Sequence, residues 1–223
     1  MTYGSRGAAH VVKNWSARDY VQDRNGVMLD AENNGGLGVH LANLQGTWTN
    51  LFTGANAPLM GNMVPWTWGD NYLQTSSANG WFYVPVGVNR RYVLSDAGVA
   101  NLESITVEMV FESLSTGSIF QYCPVEAEYR TNATCSNTGK WALSITMPNN
   151  SAVYINGVLS TNYQNLTVNL SAPIADEECL AFGGFYNGCP GGRLYRATAY
   201  SRALTAAEIT HNYNIDRLRF NLP

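Results

Sequence analysis

Three groups of side chains in this sequence have the types and spacing that chemistry requires. Glu108 and Glu112 lie in Ser104-Ile-Thr-Val-Glu-Met-Val-Phe-Glu112, whose alternation puts both on one face of a strand. Paired carboxylates serve glycoside hydrolysis as nucleophile and general acid, a mechanism that needs a carboxyl separation of ~5 Å. At ~3.3 Å per residue the two Cα atoms lie roughly 13 Å apart, so only inward-leaning side chains would meet. A solvated strand face is the simpler reading.

The second group, Asp30-Ala-Glu32-Asn-Asn34-Gly35, alternates oxygen ligands ahead of a glycine, like the first half of a calcium loop. Its twelfth position is Leu41 where an EF-hand needs a bidentate Glu. The segment reads as a weak calcium site shared with Asp70, or as an Asx-rich turn whose side chains bond nearby amides. The third group is aromatic: Trp66, Trp68, Trp81 and Tyr83, with Asn71 or Asn79 for polar contacts. Such rings offer flat platforms for sugars, and they are also the ordinary filling of a sandwich core.

Other chemistries find no support. His10, His40 and His211 lack zinc-ligand spacing, and no nucleophile elbow, P-loop or dinucleotide fingerprint occurs. The Asn-x-Ser/Thr triplets at Asn132 and Asn165 are expected by chance in an Asn- and Thr-rich chain.

These residues must be held by strands. Period-two runs appear at residues 104–112, 118–122, 141–147, 153–155, 166–170 and 194–200, separated by turn formers. Asn156-Gly157 between two apolar runs is the strongest hairpin signal. One helix is expected, opening at Thr205 with Glu208 as its capping-box partner and Leu204 and Ile209 as a hydrophobic staple. Ile209, Tyr213 and Phe220 share one stripe while Ile215 and Leu218 fall outside it, so the helix is expected to fray near Asn214.

With 223 residues and no internal repeat, one domain suffices, with a core that needs neither metal nor disulfide. Charged residues are 13% of the chain and the net charge is -3, which argues against nucleic acid as a partner. No run of 18 apolar residues is present, so no membrane-spanning helix is expected, and no signal peptide is visible at the N-terminus. Residues 1–20 read as an arm or edge strand. Cys123 with Cys135, and Cys179 with Cys189, would close two local loops in an oxidising compartment; four reduced thiols in a cytoplasm are the alternative.

The segment Tyr200-Ser-Arg-Ala-Leu-Thr-Ala-Ala-Glu-Ile-Thr-His-Asn-Tyr213 resembles the last strand and closing helix of laminin G-like, that is concanavalin A-like, domains. Leu29-Asp-Ala-Glu-Asn-Asn-Gly35, Thr47-Trp-Thr-Asn-Leu51 and Trp68-Gly-Asp-Asn71 resemble the segments that open them. The resemblance implies an all-β jelly-roll β-sandwich of two antiparallel sheets with one short C-terminal helix, as a single domain over residues 21–223. It also implies calcium at the sandwich rim as the cofactor that Asp30, Glu32 and Asp70 would hold. Retaining glucanases of the same superfold carry Glu-x-Asp-x-Glu, whereas Val110 stands at the middle position here.

Domains of this kind occur in bacterial surface proteins, beside carbohydrate-active enzymes and in phage virions. A chain starting at Met1 with an arm and no visible signal resembles most a non-enzymatic phage virion component that decorates a capsid or tail. Its partners would then be other virion proteins, held through the arm, and cell-surface glycans; a homo-oligomer is compatible with that role. The alternative is a carbohydrate-binding module or adhesin at a bacterial cell surface or outside the cell, and a glucanase-like hydrolase is the remaining reading.

Overall fold

The computed structural model describes residues 15–44, 47–58, 67–75, 82–85, 105–113, 117–123, 131–135, 139–147, 152–160, 179–182 and 192–223. The first strands are β1 (Val27–Asp30), β2 (Thr47–Thr49), β3 (Asn56–Pro58), β4 (Thr67–Trp68), β5 (Leu73–Thr75) and β6 (Phe82–Pro85). The long strands follow: β7 (Ile105–Ser113), β8 (Gly117–Cys123), β9 (Thr131–Cys135) and β10 (Gly139–Met147). The chain closes with β11 (Ala152–Ile155), β12 (Val158–Ser160), β13 (Cys179–Phe182), β14 (Gly192–Tyr200) and helix α1 (Ala206–Phe220). The strand expected at residues 166–170 lies outside the described residues.

An eight-stranded sheet runs β12-β11-β10-β7-β14-β5-β4, with β1 also paired to β14. A four-stranded sheet runs β6-β13-β8-β9, and β2 and β3 form a small hairpin of their own. All pairings are antiparallel. At the centre of the large sheet, β7 pairs with β10 along its whole length and with β14 on the other side.

The alternation expected of β7 is present, yet both of its faces are covered. Val107, Met109 and Phe111 are buried on one face with Leu143, Ile145 and Ala197; Thr106, Glu108 and Val110 are buried on the other. What covers this second face is α1, because Val110, Ala142 and Tyr195 cluster with Phe220 of the helix. A bulge in β14 between Leu194 and Arg196 makes room for it. The extra residue, Tyr195, reaches Phe220 at 5.4 Å between ring centroids, while Arg196 reaches Asp216. Re-aiming a side chain in this way is a common use of a bulge.

The hairpin forms as its dipeptide predicts. Ile155 pairs with Val158 across Asn156 and Gly157, whose φ values of 50° and 73° are those of a tight two-residue turn. A Cβ at Gly157 would also lie 2.5 Å from the Tyr213 ring, so the position needs glycine on two counts.

Helix α1 starts as expected. The Thr205 side chain accepts from the Glu208 amide at 3.3 Å, and Glu208 accepts from the Thr205 amide at 2.9 Å. Leu204 and Ile209 are both buried against Tyr200. The helix does not fray at Asn214; it runs to Phe220 and ends at Asn221 in the left-handed conformation. Its inward stripe is Ile209, Asn212, Ile215, Asp216 and Phe220, so two of the five positions that keep it helical are polar.

Arg202 and the Thr205 cap hold the Glu208 carboxyl down to about 2. A depressed carboxylate adds stability above its unfolded value, and that contribution disappears as pH falls from about 4.5 toward 2. Thr205→Ala is expected to cost about 1 kcal/mol in urea unfolding at pH 7. Glu208→Gln should flatten the loss of stability between pH 4.5 and 2.

The N-terminal segment is part of the folded body from Trp15 onward. Residues Ala17–Asp19 form one 3-10 turn capped by Ser16, and Ala17 and Tyr20 pack with Met28 and Ile215. Residues 15–20, read from sequence as the end of an arm or edge strand, thus lie against α1, and residues 1–14 lie outside the described residues. Among the described residues no helix is long and apolar enough to cross a membrane.

Candidate functional site

Glu108 and Glu112 have separate fates, and the solvated face expected of them is not what forms. The Glu108 carboxylate is buried between β7 and α1 and accepts from Ser144 Oγ (3.2 Å), Asn212 Nδ2 (2.9 Å) and the Arg196 guanidinium (3.3 Å). Burial pushes its carboxyl above the ordinary range, and the neighbouring Asp216 adds to the shift, while Arg196 and Asn212 oppose it. Arg196 also donates from Nε to Asp216 Oδ1 (3.0 Å), from Nη2 to Asp216 Oδ2 and from Nη1 to Thr198 (2.5 Å). Tyr20 closes the arrangement, its hydroxyl donating to Asp216 Oδ1 at 2.7 Å beneath the stacked guanidinium.

Glu112, near the end of the same strand face, is half-exposed. It accepts from Tyr195 (2.8 Å) and Arg193 (3.2 Å). Burial and the contact with Glu112 raise the Tyr195 hydroxyl to about 12, so it remains a proton donor at neutral pH. Neither glutamate is an unengaged acid or base.

The carboxylates proposed for calcium are also occupied. Asp30 is buried, with Oδ2 2.7 Å from Arg219 Nη1 and Oδ1 accepting from Asn33 Nδ2 at 2.8 Å. Glu32 accepts from Arg219 Nη2 at 3.0 Å. The cation these two residues hold is a guanidinium delivered by α1. Asp70 lies in the exposed turn between β4 and β5. Among the described residues no group of three or more His, Cys, Asp or Glu has a metal-binding arrangement.

Of the aromatic group, Trp68 and Asn71 belong to one hairpin, formed by β4, β5 and the turn between them. Trp66, Trp81 and Asn79 lie outside the described residues, and Tyr83 pairs with Ala181 in the four-stranded sheet. Trp68 sits half-buried in β4, the edge strand of the large sheet. Its indole N–H donates to the Leu44 carbonyl at 2.9 Å, and its ring meets Trp48 edge-on at 5.1 Å and His40 at 6.5 Å. Trp48, not foreseen as part of a site, is fully buried and forms the floor. His40 is steadied by a 3.0 Å bond from Nδ1 to the Ala31 carbonyl.

Two loops connect to this ring: one follows Trp68 in the chain and the other carries His40. The Gly69–Tyr72 turn is closed by a 2.9 Å backbone bond and carries the exposed Asp70 and half-exposed Asn71. Tyr72 lies so close over Gly69 that a Cβ there would be 2.2 Å from the ring. The Arg193 guanidinium covers the Tyr72 ring at 4.6 Å. In the loop around His40, Leu37, Val39 and Leu41 are 52%, 44% and 43% exposed. Their loop is held by Asn34, which bonds the Leu41 amide at 2.7 Å and its carbonyl at 3.0 Å, and by Asn33, which accepts from Gly38 at 2.7 Å. A positioned aromatic ring whose own hairpin turn is polar and whose neighbour His40 belongs to an apolar loop suits a ligand with both hydroxyl and C–H faces.

Neither a family model nor a curated relative matches the chain's sequence. Solved structures do match its fold. Trypanosoma rangeli sialidase in complex with sialic acid superposes on 84% of this chain and 32% of its own, with TM-score 0.56 and 14% identity. The receptor-binding domain of the botulinum neurotoxin C/D mosaic serotype superposes on 86% of this chain and 51% of its own, with TM-score 0.56 and 14% identity. The chain therefore spans about a third of the first protein and half of the second. At such identity the likeness is one of architecture: an antiparallel, concanavalin A-like jelly roll closed by one C-terminal helix.

Proposed function

We propose that this chain is a non-enzymatic, lectin-like module that binds glycans at the rim around Trp68. The observation that carries the reading is the half-open Trp68 ring, anchored by Leu44, Trp48 and His40 and followed in the chain by the turn residues Asp70 and Asn71. Its jelly-roll likeness to a sialidase described with sialic acid and to a toxin's receptor-binding domain adds support. The absence of turnover is proposed because Glu108 is locked under α1 by Arg196 and Asn212 and has no space for a sugar beside it.

A phage virion surface, with attachment through residues 1–14, is proposed as the place of display; a bacterial surface is the alternative. Capsid and tail genes beside its gene would favour the particle, and polysaccharide-degradation genes the alternative. The direct test of binding is a broad glycan array, sialylated glycans included, probed with the full chain with and without calcium. We expect discrete glycan hits of equal strength in both conditions. Silence across the array would overturn the proposal.

A further inference from the structure

In the four-stranded sheet, β13 and β8 are the inner pair. Their register makes Cys179 the direct partner of Cys123, followed by Leu180 with Tyr122 and Phe182 with Phe120. Directly opposed residues of an antiparallel pair have Cα atoms ~4.5 or ~5.5 Å apart, depending on their place in the hydrogen-bond ladder. Both values fall inside the ~4.4–6.8 Å that a disulfide spans, and opposed positions share a face of the sheet. On its other side Cys179 is partnered by Pro85, which has no thiol.

The same register separates the cysteines that are near in sequence. Strand β9 sets Cys135 opposite Gly117, and Gly117 and Cys123 are the two ends of seven-residue β8. At ~3.3 Å per residue that places Cys123 and Cys135 roughly 20 Å apart, beyond the ~7 Å limit for a bridge. The Cys123–Cys135 pairing expected from sequence would require this ladder to come apart. Cys189, the other partner expected for Cys179, lies outside the described residues.

We propose that Cys123 and Cys179 form one cross-strand disulfide, with a low-molecular-weight disulfide such as oxidised glutathione as the oxidant. One protein thiolate attacks the glutathione S–S bond, releasing a glutathione thiol and leaving a mixed disulfide. The second protein thiolate displaces the remaining glutathione. One S–S bond forms in the protein, one breaks in the oxidant, and two protons pass to the two released thiols. The bridge closes a loop of roughly 55 residues and ties the middle of the second sheet.

The test incubates the full chain with oxidised glutathione, blocks residual thiols with N-ethylmaleimide, and digests it without reduction. Trypsin separates Cys123 from Cys135 at Arg130, and chymotrypsin separates Cys179 from Cys189 at Phe182, Phe185 and Tyr186. We expect a linked peptide pair joining Cys123 to Cys179, with Cys135 recovered blocked. Reduction should lower the melting temperature by about 10 °C. Cys135→Ser should retain the linked pair and Cys123→Ser should lose it; should the latter fail to fold, the wild type and Cys135→Ser still decide the matter. A Cys123–Cys135 or Cys179–Cys189 peptide, or four blocked thiols after oxidation, would overturn the assignment.

Discussion

Arg196→Met is expected to lower the unfolding free energy by about 4 kcal/mol, as measured by urea denaturation at pH 7. The Arg196 guanidinium contacts both Glu108 and Asp216, and all three side chains are at most 2% exposed. Methionine fills part of the volume and leaves two carboxylates facing each other without a counter-charge. Removing one partner from a buried ion group is far costlier than replacing the whole group with apolar residues. A domain stable by about 5–15 kcal/mol would lose a large part of its margin.

The pH dependence of that loss follows from Glu108. Its folded carboxyl is already pushed up by burial, so the folded state takes up a proton more readily than the unfolded chain does. Protonation relieves the uncompensated charge, so the deficit of Arg196→Met should shrink as pH falls from 7 toward 4. A deficit that stays constant across this range would mean that lost packing, not charge, is responsible.

Trp68→Ala is expected to weaken glycan binding by about 30-fold, corresponding to about 2 kcal/mol for truncating an aromatic anchor. The fold should survive, because Trp68 is half-buried at a sheet edge while Trp48 beneath it fills the core. Calorimetric titration against the strongest array ligand gives the first quantity, and the circular dichroism melting curve gives the second.

How far the sequence could be read depends on the distance of the partners. The alternation of β7, the Asn156-Gly157 turn and the Thr205 cap are local: each is specified by residues within a few positions, and each is present, although the second face of β7 is covered rather than solvated. Helix α1 was misjudged beyond Asn214 because Asn212 and Asp216 are polar residues on its buried stripe, and hydrophobic periodicity assigns such residues to solvent. Their spacing of four residues, in step with Ile209 and Phe220, was the available signal.

Glu108 looked solvated for a related reason. Its counter-charge, Arg196, is 88 residues away, and Glu32 finds Arg219 across 187 residues. Charge complementarity at such separations has no local pattern, so the acidic segment around Asp30 resembled a calcium loop when its cation was an arginine on α1. In the aromatic group, alternation could not decide which ring is floor and which is rim. Trp48 on β2 is fully buried, whereas Trp68 on β4 stays partly open.

Binding at Trp68 and binding at the paired glutamates are separated by one titration series. Wild type, Trp68→Ala and Glu108→Gln are titrated with the same glycan, and each mixture is then assayed for cleavage products. With binding at Trp68, the expected result is a loss of about 30-fold for Trp68→Ala, an unchanged constant for Glu108→Gln and no product from any of the three. Retained binding in Trp68→Ala, or cleavage by wild type that Glu108→Gln abolishes, would contradict it.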